Sequence, residues 1–323
     1  MPQHAHATAA LLPGNKQWKL QANLAHVACC GLAGIVAVGG RRSTLLHSLA
    51  RAAQAQGVNA IGIVPFYASL NRPAPGVETL SAEHWLAPDQ VQYADSSSTP
   101  AHIRWRGFTT ATLQDCSAAG MGVLEIPAVL FRERMHAHWQ QRLAAEFPRH
   151  LILPEGGSNG LAVRSVAEHL RQLFGSSPPA HLALGVGTGA TAAGAALALG
   201  ATTTVHAYEP AGIEGAAANI RGWKLHGCKA AQPVPRLRAG GSTFGQLQED
   251  DLELVESVLA TTGVLLDPLY GVGVLSGVLR DIAAGYFTPA DEIVILHTGG
   301  LQSWRGFEHR CSERLRSAIH AFV

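Results

Sequence analysis

Short runs of apolar residues recur along the chain, separated by longer stretches in which apolar positions return at helical spacing. The runs are GIVAVGG at 34–40, AIGIVPF at 60–66, GVLEIPA at 122–128 and HLILPEGG at 150–157. They continue with HLALGVGTG at 181–189, TTTVHAYEP at 202–210 and EIVILHTGG at 292–300. Unbroken hydrophobicity in short runs between amphipathic helices predicts an α/β fold with mainly parallel sheets covered by helices on both faces. Several runs end in Gly-rich turns, and ligands of open α/β sheets bind outside the carboxyl ends of the strands. Between Asn71 and Arg106 the pattern fades into Pro, Ser, Ala and isolated aromatics, which reads as an irregular insertion.

Length adds a division to this picture. A chain of 323 residues, 47% hydrophobic, exceeds one compact domain, so two lobes are expected, meeting near Gly34 and again near Phe147. The formal charge of +1 is spread over the whole length, which gives no basic stripe for nucleic acid and leaves a small molecule as the expected partner. Five cysteines, at 29, 30, 116, 228 and 311, show no repeated spacing, and the start lacks a signal-peptide pattern, so a reducing cytoplasm is expected. The apolar stretches near 190–200 and 258–266 fall short of the roughly 20 residues of a membrane span. Cys29 and Cys30 lie on an apolar helix pattern and are expected in the core. The pairs His4/His6 and His136/His138 lack a third spaced ligand, and i,i+2 positions on a helix diverge, so no metal is expected.

Candidate chemistry starts at a lysine turn. Only four lysines occur, at 16, 19, 224 and 229, and two of them lie within LPGNKQWKL. Pro13 and Gly14 mark a turn, Asn15 can cap, and Lys16 and Lys19 stand three apart at a helix start, where both amines can face one pocket. Such a pair suits imine formation by one amine and neutralisation of a phosphate by the other. A cationic neighbour and burial both favour the neutral amine that the first task needs. The competing reading is an exposed helix start with two solvated lysines.

Two helix starts offer anion sites. LALGVGTGATAAG passes from a strand into a small-residue helix through Gly185, Gly187, Thr188, Gly189, Ala190 and Thr191, and glycine backbone with a helix N-terminus suits an oxyanion. The same residues loosely fit a dinucleotide fingerprint, with Glu209 at the end of the next strand in place of the ribose-binding acid, which keeps an NAD-binding oxidoreductase as an alternative. A tight turn that needs glycine for packing alone is the plainer reading. In GGRRSTLLHSLARAA, Ser43 is a natural N-cap, and the same geometry can hold an amino acid's carboxylate. Glu155, Ser158 and Asn159 form a polar turn that either lines a site or caps a helix.

Taken in order, LPGNKQWKL, GGRRSTLLHSL, LILPEGGSNGLAVRSVAE, GVGTGATAAG, LLDPLYG and LHTGGL resemble the motifs of the 1-aminocyclopropane-1-carboxylate (ACC) deaminase and D-cysteine desulfhydrase family, over residues 11 to 302. The resemblance implies a two-lobed pyridoxal-phosphate (PLP) enzyme of fold type II, tryptophan-synthase-β-like, and a homodimer. It implies a large PLP-binding lobe from 1–33 and 147–323 and a small inserted lobe from 34–146. Lys16 matches the lysine that binds the cofactor covalently, and Lys19 matches one that reaches its phosphate. Gly187, Thr188, Gly189, Ala190 and Thr191 match the phosphate cradle, Ser43 the active-site serine and Tyr270 the tyrosine near the substrate. Thr44 stands where the family has an asparagine bonded to the cofactor, and Thr298 follows the desulfhydrase pattern.

The departures matter as much. Gly271 replaces a side chain that contacts the pyridine nitrogen, and Phe244 replaces a second tyrosine. The family also has more residues before the lysine turn, which implies a shortened start. By resemblance the first expectation is a lyase or deaminase acting by β-elimination from D-cysteine or a related D-amino acid, with Lys16 taking the Cα proton and a 2-keto acid and ammonia as products. ACC deamination and a PLP-binding protein with lost or altered activity, acting as carrier or regulator, are the alternatives.

Overall fold

The computed structural model describes residues 14–66, 110–200, 202–211, 220 and 236–322. The insertion read between 71 and 106 lies outside the described residues. Two compact units divide the chain, one of Lys19–Ala162 and one of Met1–Trp18 with Val163–Val323.

The first unit takes most of helix α1 (Gly14–Cys29), then β1 (Gly34–Val38), α2 (Thr44–Gln56), β2 (Asn59–Phe66), α3 (Ala111–Ala118) and β3 (Gly122–Pro127). It closes with α4 (Ala128–Phe131), a 3-10 turn over Arg132–Met135, α5 (Ala137–Glu146) and β4 (His150–Leu153). All pairings are parallel, in the order β3-β2-β1-β4. Successive residues of β1 point to opposite faces, and both faces are covered. Ile35 and Ala37 join a core with Leu20, Leu45, Leu49 and Leu113, while Val36 and Val38 join one with Ile63, Leu124, Ile126 and Trp139. That double coverage explains the unbroken apolar run. Strand β4 falls within the segment 147–323 that was expected in the larger lobe, yet Gly34 pairs with His150 and Ala37 with Leu153, so its hydrogen bonds hold it in the first sheet.

The second unit holds most of α6 (Gly160–Phe174), then β5 (His181–Gly185), α7 (Ala190–Leu199), β6 (Thr204–Ala211) and β7 (Arg236–Thr243). Helices α8 (Glu249–Thr262) and α9 (Gly271–Ala283), strand β8 (Ile293–Ile295) and α10 (Glu313–Phe322) complete it. Its parallel sheet runs β7-β6-β5-β8. Leu182 and Leu184 pack with Val166 and Leu170 of α6, whereas Ala183 faces Val274 and Val278 of α9.

Under α9 a polar chain crosses the sheet. Arg238 Nε donates to His206 Nδ1 (3.2 Å), so the proton of His206 sits on Nε2, which faces His181 Nδ1 at 3.2 Å. His181 Nε2 in turn lies 3.5 Å from Asp291 Oδ1. Arg238 also donates to Asp281 Oδ2 (2.8 Å), which accepts from the buried Tyr208 hydroxyl at 2.8 Å. Burial, reinforced by Arg238, lowers the pKa of His206 from 6.5 to about 4. Above pH 6.5 His206 is neutral in both folded and unfolded chains, and its contribution is complete. As the pH falls from 6.5 toward 4 the unfolded chain takes up a proton that the folded one refuses, so up to about 3 kcal/mol of stability is lost. Urea midpoints between pH 7.5 and 4.5 should show this slope, and His206→Gln should flatten it; an equal slope in the variant would remove His206 as the cause.

Two further expectations meet the structure here. Cys29 and Cys30 are exposed rather than core, because α1 ends there and its buried face is carried by Leu20, Leu24 and Val27. No helix among the described residues is long and apolar enough to cross a membrane.

Candidate functional site

Three of the motifs meet within the second unit. Gly14, with φ +45°, lets the start of α1 lie against the segment after β8, where a Cβ on it would stand 2.0 Å from the Thr298 carbonyl oxygen. The next residue fastens the contact. Asn15 N–H donates to Thr298 O (3.1 Å) and its side-chain Nδ2 donates to Thr191 Oγ1 (2.8 Å), so one buried asparagine ties the lysine turn to the glycine turn. Lys16 follows on the same first turn, partly exposed. Gly14→Ala is expected to cost about 1–3 kcal/mol through a strained φ and displacement of Thr298. Urea denaturation checks it.

The glycine turn itself has the features of an anion cradle. Gly189 precedes α7 at φ 87°, and no side chain caps the helix, so its first-turn N–H groups and dipole face the turn formed by Gly187, Thr188 and Gly189. Ala190 and Thr191 open the helix. Tyr270 packs beside this turn. A Cβ on Gly185 would meet Tyr270 Cβ at 2.8 Å and its ring at 3.1 Å, and one on Gly187 would meet its hydroxyl at 2.6 Å. Phe244 stacks at a tilt on Tyr270, with ring centroids 5.4 Å apart.

Behind Tyr270 lies a residue that the motif reading left without a role. Asp267 is buried, and its carboxylate accepts from Leu269 N (3.1 Å), Tyr270 N (2.8 Å) and Gly271 N (2.8 Å), which orders the turn that presents Tyr270 and starts α9. Burial raises its pKa, opposed by His297 and by those three N–H groups. Gly271 fits here for a stated reason, since a Cβ would stand 2.8 Å from Asp267 Oδ2. His297 Nε2 donates to Leu265 O (3.1 Å) and its Nδ1 lies 3.2 Å from Gly299 N, which sets the orientation of the ring beside Thr298.

The remaining predicted residues belong to the first unit. Lys19 is buried and its Nζ donates to Gly156 O (3.2 Å), in the turn where Gly156 and Gly157 both take positive φ. Asn23 donates to Lys19 O (2.6 Å), and Asn159 donates to Asn23 Oδ1 (2.7 Å) while accepting from Ala162 N (2.9 Å). Asn159 is therefore the cap of α6, and Glu155 accepts from Arg134 Nε at 3.0 Å. Ser43 caps α2 by accepting from Leu46 N (3.3 Å), and Thr44 is the first helical residue, both half-buried. Nearby, buried Arg41 pairs with buried Glu125.

Asn15 and Asp267 were missed as site residues. The signal was present in both cases, as an asparagine at a turn before a lysine and an aspartate four residues before a glycine helix start, but each also reads as a plain cap.

No protein-family model matches the chain. A curated relative, the mitochondrial bifunctional D-cysteine desulfhydrase/1-aminocyclopropane-1-carboxylate deaminase of Arabidopsis thaliana, is 27% identical over 177 residues, which is 50% of this chain and 44% of that protein. The matched stretch is thus less than half of the relative's length. Among solved structures, an ACC deaminase homologue superposes with a TM-score of 0.66 at 17% identity, covering 96% of this chain and 84% of that one. A pyridoxal 5'-phosphate-dependent aspartate racemase gives 0.54 at 13% identity, covering 89% and 80%. The chain has the α/β architecture of these fold type II proteins, and the family it resembles is that of ACC deaminase and D-cysteine desulfhydrase.

Proposed function

We propose that the chain is a PLP-dependent enzyme acting on a small amino acid, by β-elimination from D-cysteine or a related D-amino acid. The observation that carries this is the pair of hydrogen bonds from Asn15, to Thr298 O and Thr191 Oγ1, which sets the Lys16 turn beside a helix start without a side-chain cap, suited to phosphate. Backbone N–H groups from Gly187 to Thr191 would hold the phosphate. When bound, PLP accepts the electron pair left at the substrate Cα.

The chain's own residues account for the other steps. Lys16 would hold the cofactor and, as a free amine, would take the Cα proton. Tyr270, held by the Asp267 turn, directs its hydroxyl beside Gly187, at the edge of the cradle. The N-terminus of α2, with Ser43 and Thr44, suits a substrate carboxylate. With uptake of one water, D-cysteine would give pyruvate, ammonia and hydrogen sulfide. Purified protein reconstituted with PLP should release pyruvate and sulfide in equal amounts from D-cysteine. Absence of product across D- and L-amino acids and ACC, with cofactor bound, would refute turnover.

One observation favours a second reading, in which PLP is bound without turnover. Gly271 offers no side chain, and the pinned Asp267 carboxylate leaves no room for a Cβ there. A borohydride-trapped label on Lys16 without product from any substrate would select it.

A further inference from the structure

We propose that Glu133, His136 and His138 form a surface site for a divalent transition-metal ion in the first unit, separate from the proposed catalytic residues. The pair His136/His138 was expected to diverge as i,i+2 positions of a helix, but His136 is not helical. It stands at φ −79° and ψ 143°, between the 3-10 turn Arg132–Met135 and the start of α5. In a 3-10 turn side chains three apart eclipse, which returns Glu133 to the side of His136. The Glu133 carboxylate lies 2.5 Å from His136 Nδ1, and the His136 and His138 ring centroids are 5.6 Å apart. One ligand atom from each of the three residues lies within 4.8 Å of the others.

That spacing is close to what a metal requires. Zinc bonds of about 2.0–2.1 Å at tetrahedral angles place donor atoms roughly 3.3 Å apart. Glu133, His136 and His138 are half-buried or exposed, so closing the difference takes side-chain rotation rather than backbone movement. Two imidazoles and one carboxylate are a borderline donor set, matched to Zn²⁺, Co²⁺, Ni²⁺ or Cu²⁺ and poorly matched to Mg²⁺ or Ca²⁺. Three protein ligands leave positions for water. Of the flanking arginines, Arg134 is drawn away from the site. It pairs with Glu155 at 2.9 Å and lies over the Phe131 ring at 4.6 Å.

Equilibrium dialysis of the full chain against low-micromolar Zn²⁺ tests the site. Wild type should retain one ion more than the double variant His136→Asn/His138→Asn. Glu133→Gln should keep the ion but weaken it by about tenfold or more. Bound Co²⁺ should show visible bands that the double variant lacks, and Mg²⁺ should not be retained. Unchanged zinc stoichiometry and affinity in the double variant, or an unchanged Co²⁺ spectrum, would overturn the proposal. Metal-free melting curves of the variants should match wild type, and Glu133→Gln gives an independent reading should the double variant melt early.

Discussion

Replacing Lys16 by alanine is expected to lower turnover of the best amino-acid substrate by about 10²–10⁴-fold, the usual worth of a positioned general base, and to abolish borohydride trapping of PLP. The loss should come without unfolding. Lys16 is the third residue of α1 and is partly exposed, alanine is the best helix former, and Gly14 and Asn15, which stay in place, dock this turn. Lys16→Arg should be as inactive, because a guanidinium keeps its proton in proteins. Lys19→Arg preserves a cation and should retain trapping. Urea midpoints near wild type alongside lost activity would separate chemistry from stability, whereas a labelled, active Lys16→Ala protein would remove Lys16 from the mechanism.

Glu125→Leu is the second large effect, a loss of about 3–5 kcal/mol. Glu125 in β3 and Arg41 after β1 are both buried and paired side chain to side chain, so deleting the acid removes the buried carboxylate that balances the guanidinium. Arg41 is also tied through its backbone, since its carbonyl accepts from the Thr110 hydroxyl that caps α3. The double variant Arg41→Met/Glu125→Leu should recover most of the loss, because two apolar groups need no compensating charge. Pulsed thiol labelling of Cys116, buried in α3, reports the same unit and should accelerate in the single variant alone.

The strands were legible because parallel sheets bury both faces. Residues such as Ile35, Val36, Leu182 and Ala183 are all apolar and leave an unbroken run in the sequence. Strand β7 escaped for the opposite reason. RLRAGGST carries Arg236 and Arg238 at an edge of the sheet, where the second arginine serves the polar chain with His206 and Asp281. The boundary near Phe147 was misplaced because a run such as HLIL does not reveal its partner strand. Within the site, Lys16, Tyr270 and the glycine turn were readable from motif order. Asn15 was not, because its value lies in two contacts 176 and 283 positions away along the chain, with Thr191 and Thr298. His136 and His138 were read as diverging because the i,i+2 spacing assumed a helix, whereas the backbone at His136 is extended.

The division of the chain also sets an order of events during synthesis. The first unit is one continuous segment, Lys19–Ala162, and all four strands of its sheet have been made by residue 153. The second unit waits for β8 at 293–295 to flank β5, and a nascent chain lengthening at about 5–20 residues per second takes roughly 7–28 s over that distance. From the completion of β6 at residue 211 until β8 emerges, β5 has one edge uncovered, which makes the ribosome-bound chain the state most exposed to mispairing and the natural substrate for a chaperone.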